Sequence, residues 1–141
     1  MDDWVERHME ICRAITDKSD CLHEKNSVVV IKNDTMLLGV PNGRLTGVLS
    51  CNMPGQECMK DKYHHTDLCR GSDAISRLFV KASRQGITLD GVTIFTTTTP
   101  TQANIKMVAE AGVKRIVYDG DELDFCAMEV ADLSDLKVTR V

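Results

Sequence analysis

The sequence predicts a single-domain α/β protein, a three-layer α/β/α sandwich with a mixed central sheet. Three observations carry that prediction. The chain has 141 residues, one domain's worth, enough for a real core. Its 43% apolar and 27% charged residues match a globular composition. An opening helix and β-hairpin are followed by strand–helix alternation, the order that places helices on both faces of a sheet. The domain is expected to span 1–141, with residues 41–71 as one long loop.

Asp2 or Asp3 caps a helix running through Trp4, Met9, Ile11, Cys12 and Ile15, ended by Lys18-Ser19-Asp20. The β-branched run Ser27-Val28-Val29-Val30-Ile31 reads as a buried strand. Asn33-Asp34 signals a turn, and Met36 to Val40 forms the returning strand. From Pro41 to about Gly71 periodicity fails in a stretch containing Gly47, Cys51, Pro54, Gly55, Cys58, His64, His65 and Cys69. A loop of that length in a small domain is expected to be functional or stapled by metal. Ser72 or Asp73 caps a helix through Ile75, Leu78, Phe79 and Ala82, ended by Gly86. Val92 to Thr96 is a strand. Thr99-Pro100 opens the next helix, with Thr99 as cap and Pro at the first position, running to Ala111-Gly112. Lys114 to Tyr118 is another strand. The acidic turn Asp119-Gly120-Asp121 leads to a weakly helical segment with Leu123, Phe125, Met128 and Val130, and Lys137 to Val141 is a last edge strand.

Composition excludes several functions. The net charge of -4 and pI near 5.5 leave no basic excess for tracking a nucleic-acid backbone. Aromatics at 4% supply few stacking platforms for single strands. Apolar runs reach about four residues against the ~20 of a membrane span. The acidic start Met1-Asp2-Asp3-Trp4 has no signal-peptide pattern, so a cytoplasmic location is expected. Disulfides are then disfavoured, and the six cysteines read as buried thiols or metal ligands. Cys12 and Cys126 lie in apolar segments as core thiols, and the seven Met are core filler.

Taken in order, the local strings resemble the deoxycytidylate (dCMP) deaminase branch of the cytidine deaminase superfamily. They are Cys21-Leu22, Lys25, Val28 to Lys32, Asn42-Gly43, Gly47, Cys51, Leu68-Cys69-Arg70-Gly71, Gly91 to Thr97, Lys106-Met107 and Ala111 to Tyr118. The resemblance implies the cytidine deaminase-like fold over most of the chain. It also implies a catalytic zinc held by one His and two Cys, with a Glu moving protons. In this sequence Asp73 stands at the His position, Ile75 at the Glu position, and Thr101 and Asn104 at the two Cys positions. Ile75 carries no proton, and neutral oxygens are poor ligands for Zn²⁺. No Cys-x-x-Cys exists in the sequence, and the His8-Met9-Glu10 string lies in the first helix. The reading is a scaffold without its catalytic constellation.

The resemblance further implies a structural zinc, one per chain, using Cys21 and Cys51 with imidazoles from the insertion. Cys21, Cys51, His65 and Cys69 are the expected ligands, with His64 and Cys58 as alternates. Separate buried thiols and solvent-facing imidazoles would account for the same residues. A nucleotide site (deoxycytidine or related) is expected at Asn42, Gly43, Arg70, Thr98 and Thr99. Asn42-Gly43 matches the family's nucleotide loop but is also an ordinary turn, with Pro41 where the family has Tyr. The Thr96-Thr97-Thr98-Thr99 run can hold an anion at a helix start or simply end a strand. Arg70 can pair with a phosphate or with Asp73.

The functional expectation is a catalytically inactive dCMP deaminase-like protein that binds a nucleotide or a partner subunit in sensing, sequestration or regulation. The alternatives are an active nucleotide deaminase or other hydrolase with a rearranged site, and a purely structural interaction module. The resemblance adds a homo-oligomer, or a hetero-oligomer with an active deaminase, in phage or bacterial nucleotide metabolism, and hence the host cytoplasm for a phage protein.

Overall fold

A computed structural model describes residues 2–65 and 68–141. Helix α1 (Asp3–Thr16) starts where Asp2 accepts a hydrogen bond from the Trp4 N–H, and Asp3 and Glu6 sit in its first turn, where carboxylates suit the helix dipole. Strands β1 (Ser27–Lys32) and β2 (Thr35–Pro41) form an antiparallel hairpin. Asn33 and Asp34 both take positive φ (51° and 61°), the two-residue loop that matches strand twist.

The 41–71 stretch, expected as one long, metal-stapled loop, carries short elements of its own. Its ends pair as a small ladder, β3 (Gly43–Arg44) against β4 (Gly71–Ser72), with the short helix α2 (Met59–Tyr63) between them. Gly71 permits the ladder, because a Cβ there would meet the Gly43 carbonyl oxygen at 2.6 Å. Helix α3 (Ala74–Gln85) is capped by Asp73 and ended by Gly86 at φ 69°. Strand β5 (Thr93–Thr96) leads to helix α4 (Gln102–Glu110), then strand β6 (Arg115–Tyr118), helix α5 (Phe125–Leu133) and strand β7 (Lys137–Arg140).

Two expectations need correction here. Helix α4 is capped by Thr101, not Thr99, and Pro100 lies before the cap. The reason is a reciprocal pair: Thr101 Oγ1 accepts from the Asn104 N–H, and Asn104 Oδ1 accepts from the Thr101 N–H. The Thr99 hydroxyl instead donates to the Asp121 carbonyl. The weakly helical tail is a complete α5, whose cap Asp124 accepts from the Ala127 N–H at 2.8 Å.

The sheet order is β2-β1-β5-β6-β7, mixed as expected: β5, β6 and β7 run parallel, and β1 runs antiparallel to both β2 and β5. Alternation along the strands divides the core. Val29, Ile31, Phe95 and Val117 face α1, joining Val5, Met9 and Cys12. Val28, Val30, Ile94 and Ile116 face the opposite layer, joining Ile75 and Leu78 of α3, Ile105 and Val108 of α4, and Ala127 and Ala131 of α5. Each large side chain so buried contributes roughly 1.5–3 kcal/mol. Trp4 closes the α1 face at the hairpin end. Its ring lies 4.6 Å from that of His8 and 5.4 Å from that of Phe95, and its Nε1 donates to Asp34 at 2.8 Å. At the other end of β1, Ser27 joins the layers: its hydroxyl donates to the Cys12 carbonyl at 2.6 Å, and its carbonyl accepts from the Thr96 hydroxyl at 2.9 Å.

Candidate functional site

Parallel strands β5 and β6 end on the same side of the sheet, where α/β folds place their ligand crevices. The N-terminus of α4 lies there, and the N-terminus of α3 meets it. Asp73 uses Oδ1 to cap α3, accepting from the Ser76 N–H at 2.9 Å. Its second oxygen, Oδ2, accepts from Asn104 Nδ2 at 3.0 Å. Asn104 is 5% exposed and reaches Thr101 through its Oδ1. Asp73, Thr101 and Asn104 therefore meet, although 31 residues separate Asp73 from Asn104. The fourth position, Ile75, turns into the core at 1% exposure.

The resemblance implies zinc at this place, and the residues do not fit it. The donor set is one carboxylate, one hydroxyl and one amide, with no imidazole or thiolate. The carboxylate caps one helix and holds the amide, while the hydroxyl and the amide oxygen cap the other helix. The arrangement joins two helix starts through mutually satisfied polar groups, and no proton-transfer group stands at position 75.

Beside the pair lies a cavity of about 210 Å³ whose wall includes Asp73, Cys69, Cys21, Asn42, Lys60 and Glu24. Of the residues expected to contact a nucleotide, Asn42 and Gly43 line it. The Asn42 side chain is engaged with the protein's own loops. Its Oδ1 accepts from the Ser19 hydroxyl (2.6 Å) and the Asn26 N–H (2.9 Å), and its Nδ2 donates to the Glu24 carbonyl (2.7 Å). Gly43, at φ 140°, sits where a Cβ would collide with the Asp20 carboxylate. Among the described residues Arg70 donates to Gln56 and to the Glu57 carbonyl, not to Asp73 or to the cavity wall. Thr98 and Thr99 are half-buried and lie outside the cavity wall.

The cysteines of the 41–71 insertion influence one another electrostatically. The Cys51 thiol is pushed above its ordinary value, first by burial; Arg70 pulls it down, and the neighbouring Cys58, Cys69 and Cys21 thiols push it up. Of these thiols Cys21 and Cys69 line the cavity, and among the described residues the four are not gathered into one metal-sized cluster. Their chemistry fits a structural zinc, since thiolate is the preferred zinc donor. His65 is exposed and its backbone N–H donates to the Lys60 carbonyl; His64 ends α2 at φ 53°. Two further donors, His23 and Asp61, gather around Cys58. Only the Cys58-x-x-Asp61 spacing hinted at them in the sequence, and nothing linked His23 to either.

No family model matches the chain. A deoxycytidylate deaminase of Mycobacterium phage D29 is 26% identical over 125 residues, covering 82% of this chain and 94% of that protein. The dCMP deaminase of cyanophage S-TIM5 superposes over the full length of both chains with a TM-score of 0.78 at 22% identity. The same enzyme in complex with dCMP and dUMP gives 0.77 at 23% identity. A diaminohydroxyphosphoribosylaminopyrimidine deaminase/reductase from Thermotoga maritima matches 97% of this chain with 36% of its own, at a TM-score of 0.62 and 16% identity. These likenesses bear out the cytidine deaminase-like fold and the resemblance to dCMP deaminases read from the sequence.

Proposed function

We propose that this dCMP deaminase-like chain binds a nucleotide or a partner subunit without turning the nucleotide over. The observation that carries the reading is the Asn104–Asp73 hydrogen bond of 3.0 Å, which joins α3 to α4 where the resemblance implies a catalytic metal. Ile75 adds to it, being a core side chain where the resemblance implies a proton carrier. The adjoining cavity with Lys60 on its wall offers a cation to an anionic group. A dCMP deaminase of the same fold is known with dCMP and dUMP, which makes those nucleotides the first ligands to try.

On this reading the chain's residues bind and orient. Asn42 fixes the loop under the cavity, Gly43 keeps the wall thin, and Asp73 and Asn104 lock the helix starts. A structural zinc on Cys21, Cys51, His65 and Cys69, with Cys58 or His64 as alternates, clamps the insertion. Self-association is supported by α5, which exposes Phe125 (84%) and Leu133 (80%), apolar groups of the kind that mark protein contacts. No helix among the described residues is long and apolar enough to cross a membrane. The phage relative supports a role in nucleotide metabolism in a host cytoplasm.

One observation favours a second reading, an active deaminase or hydrolase with a rearranged site: two thiols and a carboxylate, Cys21, Cys69 and Asp73, share the cavity wall. One assay separates the two. Purified protein is incubated with dCMP, with and without chelator, and its thermal stability is measured with dCMP, dUMP and dCTP. Binding without deamination is expected, with about 2.7 kcal/mol of stabilisation at a hundredfold excess over the dissociation constant. Chelator-sensitive turnover that Cys69→Ser abolishes would establish the second reading instead.

A further inference from the structure

The helix α2 poses a physical problem. It has five residues and buries none of them, and a helix of that length has no stability of its own. Its neighbours supply a solution. Cys58, at the start of α2, is 8% exposed, and its thiol makes no hydrogen bond among the described residues. Asp61, three residues on, lies on the same side of the helix. His23, from the segment between α1 and β1, reaches across: its Nε2 lies 2.9 Å from the Asp61 carboxylate. A ring nitrogen, a sulfur and a carboxylate oxygen all lie within 4.8 Å of one another.

We propose that His23, Cys58 and Asp61 form a zinc site that staples α2 to the segment preceding β1. Nitrogen, thiolate and carboxylate are the donor types of zinc, and three protein ligands leave a fourth, tetrahedral position for water. Donor atoms around tetrahedral zinc are separated by on the order of 3.5 Å, so the present spread needs only small rotations of exposed side chains. An exposed His–Asp pair alone is a weak tie; a metal shared with a buried thiolate is a strong one. His23 and Asp61 are no part of the Cys21/Cys51 set, Cys58 is assigned here rather than there, and the site uses none of the Asp73–Asn104 pair. Its position ties it to the cavity. Lys60 lies between Cys58 and Asp61, Glu24 follows His23, and both line the cavity. Metal at this site therefore orders two strips of the cavity wall.

The probe is Co²⁺, a spectroscopic substitute for zinc, titrated into the full chain. Cys21→Ser/Cys51→Ser protein is expected to keep one tight Co²⁺ with a single-thiolate charge-transfer band, and adding Cys58→Ser is expected to abolish that band. In the otherwise unchanged chain, His23→Ala and Asp61→Asn alter exposed side chains and leave the fold intact. Each is expected to weaken one Co²⁺ by tenfold or more. Unchanged Co²⁺ affinity and spectrum in both surface variants would overturn the site. So would a Cys21→Ser/Cys51→Ser chain that folds, by circular dichroism, but binds no Co²⁺.

Discussion

At the scale of single residues, Asn104 is the side chain on which the site turns. It completes the cap of α4 and, among the described residues, supplies the hydrogen-bond donor to Asp73 Oδ2. Asn104→Ala removes the cap partner and leaves a half-buried carboxylate oxygen unmet, and is expected to cost about 1–2 kcal/mol, read as a lower denaturant midpoint. Asn104→Asp places a second carboxylate against Asp73, so its deficit is expected to be largest at neutral pH and to shrink on acidification. Cys12 contributes to stability on the alkaline side. Burial, opposed by its hydrogen bond with Ser27, raises its thiol from an ordinary 9.0 to about 11. The folded chain holds this proton more tightly than the unfolded chain does. Its contribution is therefore complete below pH 9 and is lost as pH rises toward 11, by on the order of 2–3 kcal/mol. Cys12→Ser is expected to flatten that slope when midpoints at pH 8 and 10.5 are compared. Asp73, Thr101 and Asn104 came from counting along the family resemblance, and that Asp73 meets Asn104 was not legible, because 31 residues separate them. Nor were the partners of Asn42 and Arg70, because they lie 13 to 23 residues away along an aperiodic stretch.

Among the elements, those with a buried periodic face were legible and those without one were not. Strands β1, β5 and β6 and helices α1 and α3 follow their apolar spacing to within a residue or two. The start of α4 was misplaced because Thr99-Pro100 imitates a cap, while the true cap depends on the pairing of Thr101 with Asn104. Helix α2 and the β3–β4 ladder escaped notice because neither presents an apolar stripe. The ladder rests on Gly71. Gly71→Ala brings a Cβ against the Gly43 carbonyl, and is expected to cost about 1–3 kcal/mol and to speed amide hydrogen exchange around residues 43 and 72. Helix α5 invites the opposite experiment. Phe125→Lys and Leu133→Lys are expected to leave the isolated fold within about 0.5 kcal/mol, yet to lower the sedimentation coefficient if this face joins two copies.

For the whole molecule, the three-layer order and its mixed sheet could be read from the succession of strands and helices, because right-handed strand–helix–strand crossovers leave few alternatives. The candidate metal donors could be read only in outline: cysteine count and spacing brought out the insertion, but the tertiary path decides which donors meet. Removing bound zinc from a centre held at a thousandfold excess over its dissociation constant is expected to cost about 4.1 kcal/mol, measured as the drop in melting temperature on adding chelator. The position of Trp4 has a practical consequence. It is the chain's single indole, stacked at the hairpin end of β1 on the α1 face, while the cavity opens near Asn26 at the opposite end. Intrinsic fluorescence will therefore shift when α1 lifts from the sheet and stay nearly constant when a small molecule fills the cavity, which gives the molecule a built-in gauge of unfolding that is blind to its ligand.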